Sequence, residues 1–300
     1  LGHLGGALPR ELVPWPVNQE VWRIFQFAPE IPAEEAVARL ARRWAGEELA
    51  GELVEAWRST EAAVRAFPVP VHLYMIYGFV WYRLWTRPLV PDIEAIPEAD
   101  REYCERHMLI TPHNPQRVDL MKDVLYDLTD PERCRRAVAR IDGSLGPPLA
   151  AARERVAGVL AREPGSALFA DLAVRLRALA CWFETSRNVA AWIGGVHGGP
   201  EHRDLVREAV VRERENAAEL LRLWEESEVA FMACDPAGET TFLHGGDFAA
   251  QLRRKIELMA GRENDPPRAD PDYLWRLSPP ECARLRRGLP AAEDHHRGVP

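Results

Sequence analysis

Residues 72–93, HLYMIYGFVWYRLWTRPLVPDI, gather Tyr74, Tyr77, Phe79, Trp81, Tyr82 and Trp85 around two arginines, Arg83 and Arg87, and end in a proline-bounded run. Aromatic rings offer flat apolar faces to a sugar or a nucleobase, and a guanidinium offers a planar fork to a carboxylate or phosphate. Most rings in a globular protein simply fill its core. A stretch this dense, closed by Pro88 and Pro91, is expected to shape a surface as well. Trp81 and Trp85 are therefore candidate stacking faces, and Arg83 and Arg87 candidate forks.

A second candidate is ITPHNPQR, residues 110–117. Its prolines stiffen the backbone on both sides of His113 and Asn114, and Arg117 opens the next helical pattern, so these three join the candidate contacts. The same run could equally be an interhelical turn capped by Asn114. Among carboxylates, Glu239 lies in the GETTF loop and Asp92 closes the aromatic stretch; each reads first as a cap or loop hydrogen-bonding group.

Catalytic signatures are missing. Cys104, His107 and His113 give a C-x2-H-x5-H pattern, but no fourth ligand stands nearby, so no metal or other cofactor is expected. There is no GxSxG elbow and no cysteine–histidine signature. The glycine run at 194–199 lacks phosphate-loop spacing and reads as the end of a long helix.

The elements that must carry these residues are helical. Pro32 with Glu34 and Glu35 opens a helix that Gly46 breaks; Leu49, Leu53 and Trp57 mark a second, and Ser59 or Thr60 could cap a short third before Pro68. A short helix is expected near 17–26, and others at 98–109, 118–128, 131–142 and 147–162. The longest, 166–196, is followed by a charge-rich antiparallel partner at 200–231. Asp247 caps a last helix with the stripe Phe248, Leu252, Ile256 and Met259. The fold is expected to be all-α, an antiparallel helical bundle over 32–260, with 1–31 leading in and 261–300 a poorly ordered tail.

Bulk properties narrow the partners. The net charge of −8 over 300 residues argues against nucleic acid, and the basic clusters Arg42–Arg43, Arg135–Arg136 and Arg253–Lys255 read as solvated helix faces. No run of eighteen apolar residues crosses a membrane. Five scattered cysteines without a CxxC fit a reducing, cytoplasmic setting. The opening, LGHLGGALPREL, reads like the interior of a longer protein.

Two stretches carry a family likeness. PVNQEVWRIFQFAPEIPAEEAVARLARRWAGEE and RLWTRPLVPDI resemble the region beyond the catalytic barrel in bacterial α-glucuronidase-like glycoside hydrolases. The first is similar to the step from barrel to helical domain, the second to the segment that folds back to the barrel mouth. The likeness covers about the first 130 residues. It implies a C-terminal helical domain that braces an upstream catalytic domain, with a possible homodimer and an acidic sugar as ligand. It also implies catalytic carboxylates upstream of Leu1, since barrel strands are missing here. The competing expectation is a helical interaction module, in which the same aromatics form a binding hot spot. A self-contained α/α-barrel enzyme would need an internal repeat, and none is visible.

Overall fold

The computed structural model describes residues 17–66, 85–100, 131–229, 231 and 247–268. Within them the fold is all-α. Seven helices follow one another: α1 (Val17–Phe27), α2 (Ala33–Arg65), α3 (Pro131–Arg140), α4 (Gly146–Arg162), α5 (Ala167–His197), α6 (Arg203–Glu226) and α7 (Phe248–Met259), and no strand occurs among the described residues.

Of the three helices expected over 32–66, the first two are present as the two arms of α2, and the third is not a separate helix. Gly46 does interrupt α2, at φ 75° and ψ 170°, a conformation open to glycine because it has no Cβ, and the helix bends there and resumes. No break follows at Ser59 and Thr60: the Thr60 hydroxyl donates to the Ala56 carbonyl, 2.7 Å away, inside the helix instead of capping a new one. α3 and α4 are also continuous, joined by a π-helical turn, Ile141–Leu145, in which the Gly146 amide donates to the Ile141 carbonyl. Pro147 and Pro148 supply no amide hydrogens to the carbonyls four residues back, and their rings crowd that turn, so it widens instead of ending.

The core lies in two parts. In the first, Leu53, Ala56 and Ala63 of α2 meet Leu149, Ala152, Val156 and Val159 of α4 and Phe169, Leu176 and Phe183 of α5. Glu52 of α2 clips α4 from outside: hydrogen bonds from Arg155 and then Arg162 hold its carboxyl below the usual carboxylate range. In the second part, Trp85, Ala178, Cys181, Leu220, Leu223, Phe248 and Leu252 join α5, α6 and α7 to the segment that begins at Trp85. α5 and α6 form a helical hairpin that closes very tightly, for a Cβ on Gly195 would lie 2.5 Å from Val206 Cγ2. The turn between them uses Gly199 at φ 89°.

At the end of the chain, Asp247 caps α7 as expected, accepting from the Ala250 amide at 2.9 Å. The stretch expected to be a poorly ordered tail begins with described residues: the Arg268 amide donates to the Pro91 carbonyl at 3.0 Å. Residues 269–300 lie outside the described residues, as do the helices expected at 118–128 and over most of 98–109.

Candidate functional site

Four consecutive polar side chains in the middle of α5, Thr185, Ser186, Arg187 and Asn188, are all buried. Thr185 and Asn188 face a carboxylate on α6, while the Ser186 hydroxyl donates to the Trp182 carbonyl within α5. Glu213 has 0% exposure, and Thr185 Oγ1 donates to its Oε1 at 2.8 Å and Asn188 Nδ2 to its Oε2 at 3.0 Å. Lys255 of α7, 1% exposed, forms an ion pair with Glu213 Oε1. Asn216, one turn along α6, donates to the Cys181 carbonyl and to Thr185 Oγ1, each at 2.9 Å. A buried charge is tolerable only when paired and hydrogen-bonded, and both conditions hold here.

From this centre the polar contacts run outward along one side of the hairpin. Arg187 donates to Asp142 at 2.8 Å and to Glu208 at 3.3 Å. Arg212 reaches Glu208 in turn and forks onto Glu184 at 2.7 and 3.0 Å.

The same centre fixes the segment that follows the aromatic stretch. Residues 88–90 have no regular secondary structure, and carbonyls within and beside them are held from elsewhere. Lys255 Nζ donates to the Trp85 carbonyl at 2.9 Å, Trp192 Nε1 to the Val90 carbonyl at 2.8 Å, and the Arg268 amide to that of Pro91. Further along, Arg254 forks onto Asp100 at 3.0 and 2.7 Å. Four tethers from α5, α7 and the chain beyond α7 thus hold one strap, residues 85–100.

The sequence-derived candidates separate on this geometry. Trp85 and Arg87 were expected at a rim, but the structure encloses them, at 6% and 2% exposure. The Trp85 ring packs edge-on to Trp182, centroids 6.4 Å apart, and against Phe248. An enclosed ring has no free face for a sugar, so its burial against α5 and α7 answers to packing. Trp81, Arg83, His113, Asn114 and Arg117 lie outside the described residues, as do Glu239 and the Cys104–His107–His113 pattern. Asp92 acts locally, accepting from the Glu94 amide at 3.0 Å to start the 3-10 turn Ile93–Ala95.

Glu213 and Lys255 escaped the sequence reading. The Arg253–Lys255 cluster reads in sequence as a solvated basic face, yet Lys255 is 1% exposed. Its signal was phase: 248, 252, 255 and 259 keep helical spacing, and so do 206, 210, 213, 217 and 220 on α6. Opposite charges standing in phase with two apolar stripes mark a pair that meets inside.

What this centre can do chemically is limited. Glu213 already accepts from Thr185, Asn188 and Lys255, and no substrate reaches a fully enclosed carboxylate. The described cysteines are no better placed as nucleophiles. Cys134 donates to the Ala190 carbonyl, and burial pushes its thiol up to about 11; burial pushes Cys181 up to about 12. Both should resist alkylation at mildly alkaline pH in the native protein and react once it is denatured, as mass mapping of the two peptides would show. Because both folded values lie above the ordinary 9.0, the stability they contribute is complete below that pH and is lost as pH rises towards 11 and 12.

Among the described residues no group of three His, Cys, Asp or Glu side chains gathers as a metal site, and no helix is long and apolar enough to cross a membrane. No family model, curated protein or solved structure matches the chain.

Proposed function

We propose that the chain is the helical C-terminal region of a carbohydrate-active glycoside hydrolase, a non-catalytic body that braces an upstream catalytic domain and presents contact residues to an acidic glycan. The observation that supports this reading is the strap. Residues 72–84 carry the aromatic–arginine pattern and run directly into Trp85, where the helical body grips the backbone through Lys255 and the ring through Trp182 and Phe248. A rigid body that anchors one end of a recognition stretch is a common way to hold binding groups in place. On this reading Trp81 stacks on a sugar, Arg83 forks onto its carboxylate, and His113, Asn114 and Arg117 donate to hydroxyls. Trp85 and Arg87 belong to the anchor. The free thiols of Cys134 and Cys181 accord with a cytoplasmic setting.

Calorimetric titration with a glucuronate-bearing oligosaccharide, beside its neutral counterpart, tests this. The acidic glycan should bind more tightly, and Arg83→Ala should weaken it by about 1.5–3 kcal/mol, the range for a charged hydrogen bond. Equal indifference to both glycans would overturn the reading.

One observation favours a second reading, the interaction module. On α1, Trp22 is 54% and Phe27 87% exposed, and none of the helix's described side chains is fully buried. An amphipathic helix with two large rings exposed suits a partner or a second copy of the chain. Concentration-dependent assembly abolished by Trp22→Glu, with no glycan response, would support that module.

A further inference from the structure

We propose that the Glu213–Lys255 pair is a latch: Lys255 is a positioning residue whose ammonium, oriented by Glu213, fixes the strap at the Trp85 carbonyl. As a device for the proposed glycan site, it rests on the reading above; as a device of the fold, it does not.

Positions 213 and 255 stand in phase with apolar stripes on α6 and α7, so two aliphatic side chains would fill them as core. Such a core would be at least as favourable as a buried ion pair, because desolvating two charges offsets most of their attraction. One thing aliphatic side chains cannot supply is a hydrogen-bond donor to the Trp85 carbonyl, 2.9 Å from Nζ. Lysine can supply it. Its compact ammonium carries three donors, and here one meets Glu213 while another meets the strap. Glu213 is itself held by Thr185 and Asn188 of α5, so the Nζ position is set by three helices at once. Trp192 then holds the Val90 carbonyl from α5, and the two grips bracket Pro88.

The double variant Glu213→Gln/Lys255→Met removes both charges together and leaves an amide oxygen for Asn188, with the amide NH2 facing the Thr185 hydroxyl, which can accept from it. Native-state digestion with thermolysin should then cut at Leu89 or Val90 about tenfold faster than in the unaltered protein, the effect of one lost hydrogen bond on local opening. Cleavage within α5 and α6 should stay as slow as before. A folded double variant whose strap is cut at the original rate overturns the latch.

The unaltered protein provides a second measurement, independent of whether the variant folds. Native-state thermolysin should cut the unaltered protein at Leu89 or Val90 no faster than within α7. Cleavage there at the rate of an unstructured chain, with α7 intact, also overturns the proposal. Neither readout involves a glycan, so the latch and the glycan reading fail separately.

Discussion

Trp85→Ala should lower the free energy of unfolding by about 3–5 kcal/mol, the usual cost of emptying a buried tryptophan site. The ring is enclosed by Trp182 and Phe248 and belongs to a core with Leu220, Leu223 and Leu252. These neighbours come from three helices and cannot all move in to fill the space. Trp85→Phe keeps a ring in that cavity and should cost much less. Urea denaturation followed by circular dichroism measures both. A Trp85→Ala protein as stable as the original would mean that the ring serves a surface after all, as the aromatic pattern of 72–93 first suggests.

Glu213→Ala should be comparably damaging, by about 3–5 kcal/mol, because it strands a charge instead of merely removing a contact. Lys255 would be left with almost no solvent and no counter-charge, and Thr185 and Asn188 would lose the carboxylate that accepts from both. Lys255→Ala should strand the carboxylate in the same way. The two losses should not add: removing both partners leaves no orphaned charge, so a double-mutant cycle should return a large coupling energy. Simple additivity would mean that water reaches the pair and screens it. Comparable truncations of the exposed pairs, such as Arg39 with Glu35, should cost under about 1 kcal/mol.

The course of the helices was plain in the sequence because it rests on local signals. The apolar period carries α5 from 167 to 197, the glycines at 198 and 199 stop it, and Asp247 caps α7. Wherever two local signals competed, tertiary context decided. Thr60 is a good N-cap residue, yet its hydroxyl bonds back to Ala56 because α2 continues onto α4. GSLGPP looks like a stop, yet the prolines only widen the helix there. The buried centre was harder to see. Lys255 follows two arginines, and only its angle around α7 separates it from them. That angle matters only once Glu213 is known to sit opposite, a non-local fact. Trp85 and Arg87 show the converse: residue type marks them for recognition, and the structure encloses them.

The wide turn between α3 and α4 has a consequence for how this chain tolerates changes in length. Along the joined helix the buried side chains Ile141, Leu145 and Leu149 are spaced by two fours in succession. In an unbroken α-helix each four overshoots a full revolution by about 40°, so the pair would carry the seam about 80° around the axis. The wider turn absorbs the excess, and Ala152, Val156 and Val159 arrive still facing α2. It works as a phase corrector, and the prolines that follow it fix its width. Dropping the exposed Gly143 would leave Pro147 and Pro148 with the same missing amide hydrogens and one residue fewer to relieve their crowding, so the correction would be lost. The same deletion between Ala152 and Val156, where no slack exists, would swing the rest of α4 by about 100° and turn its seam out to solvent.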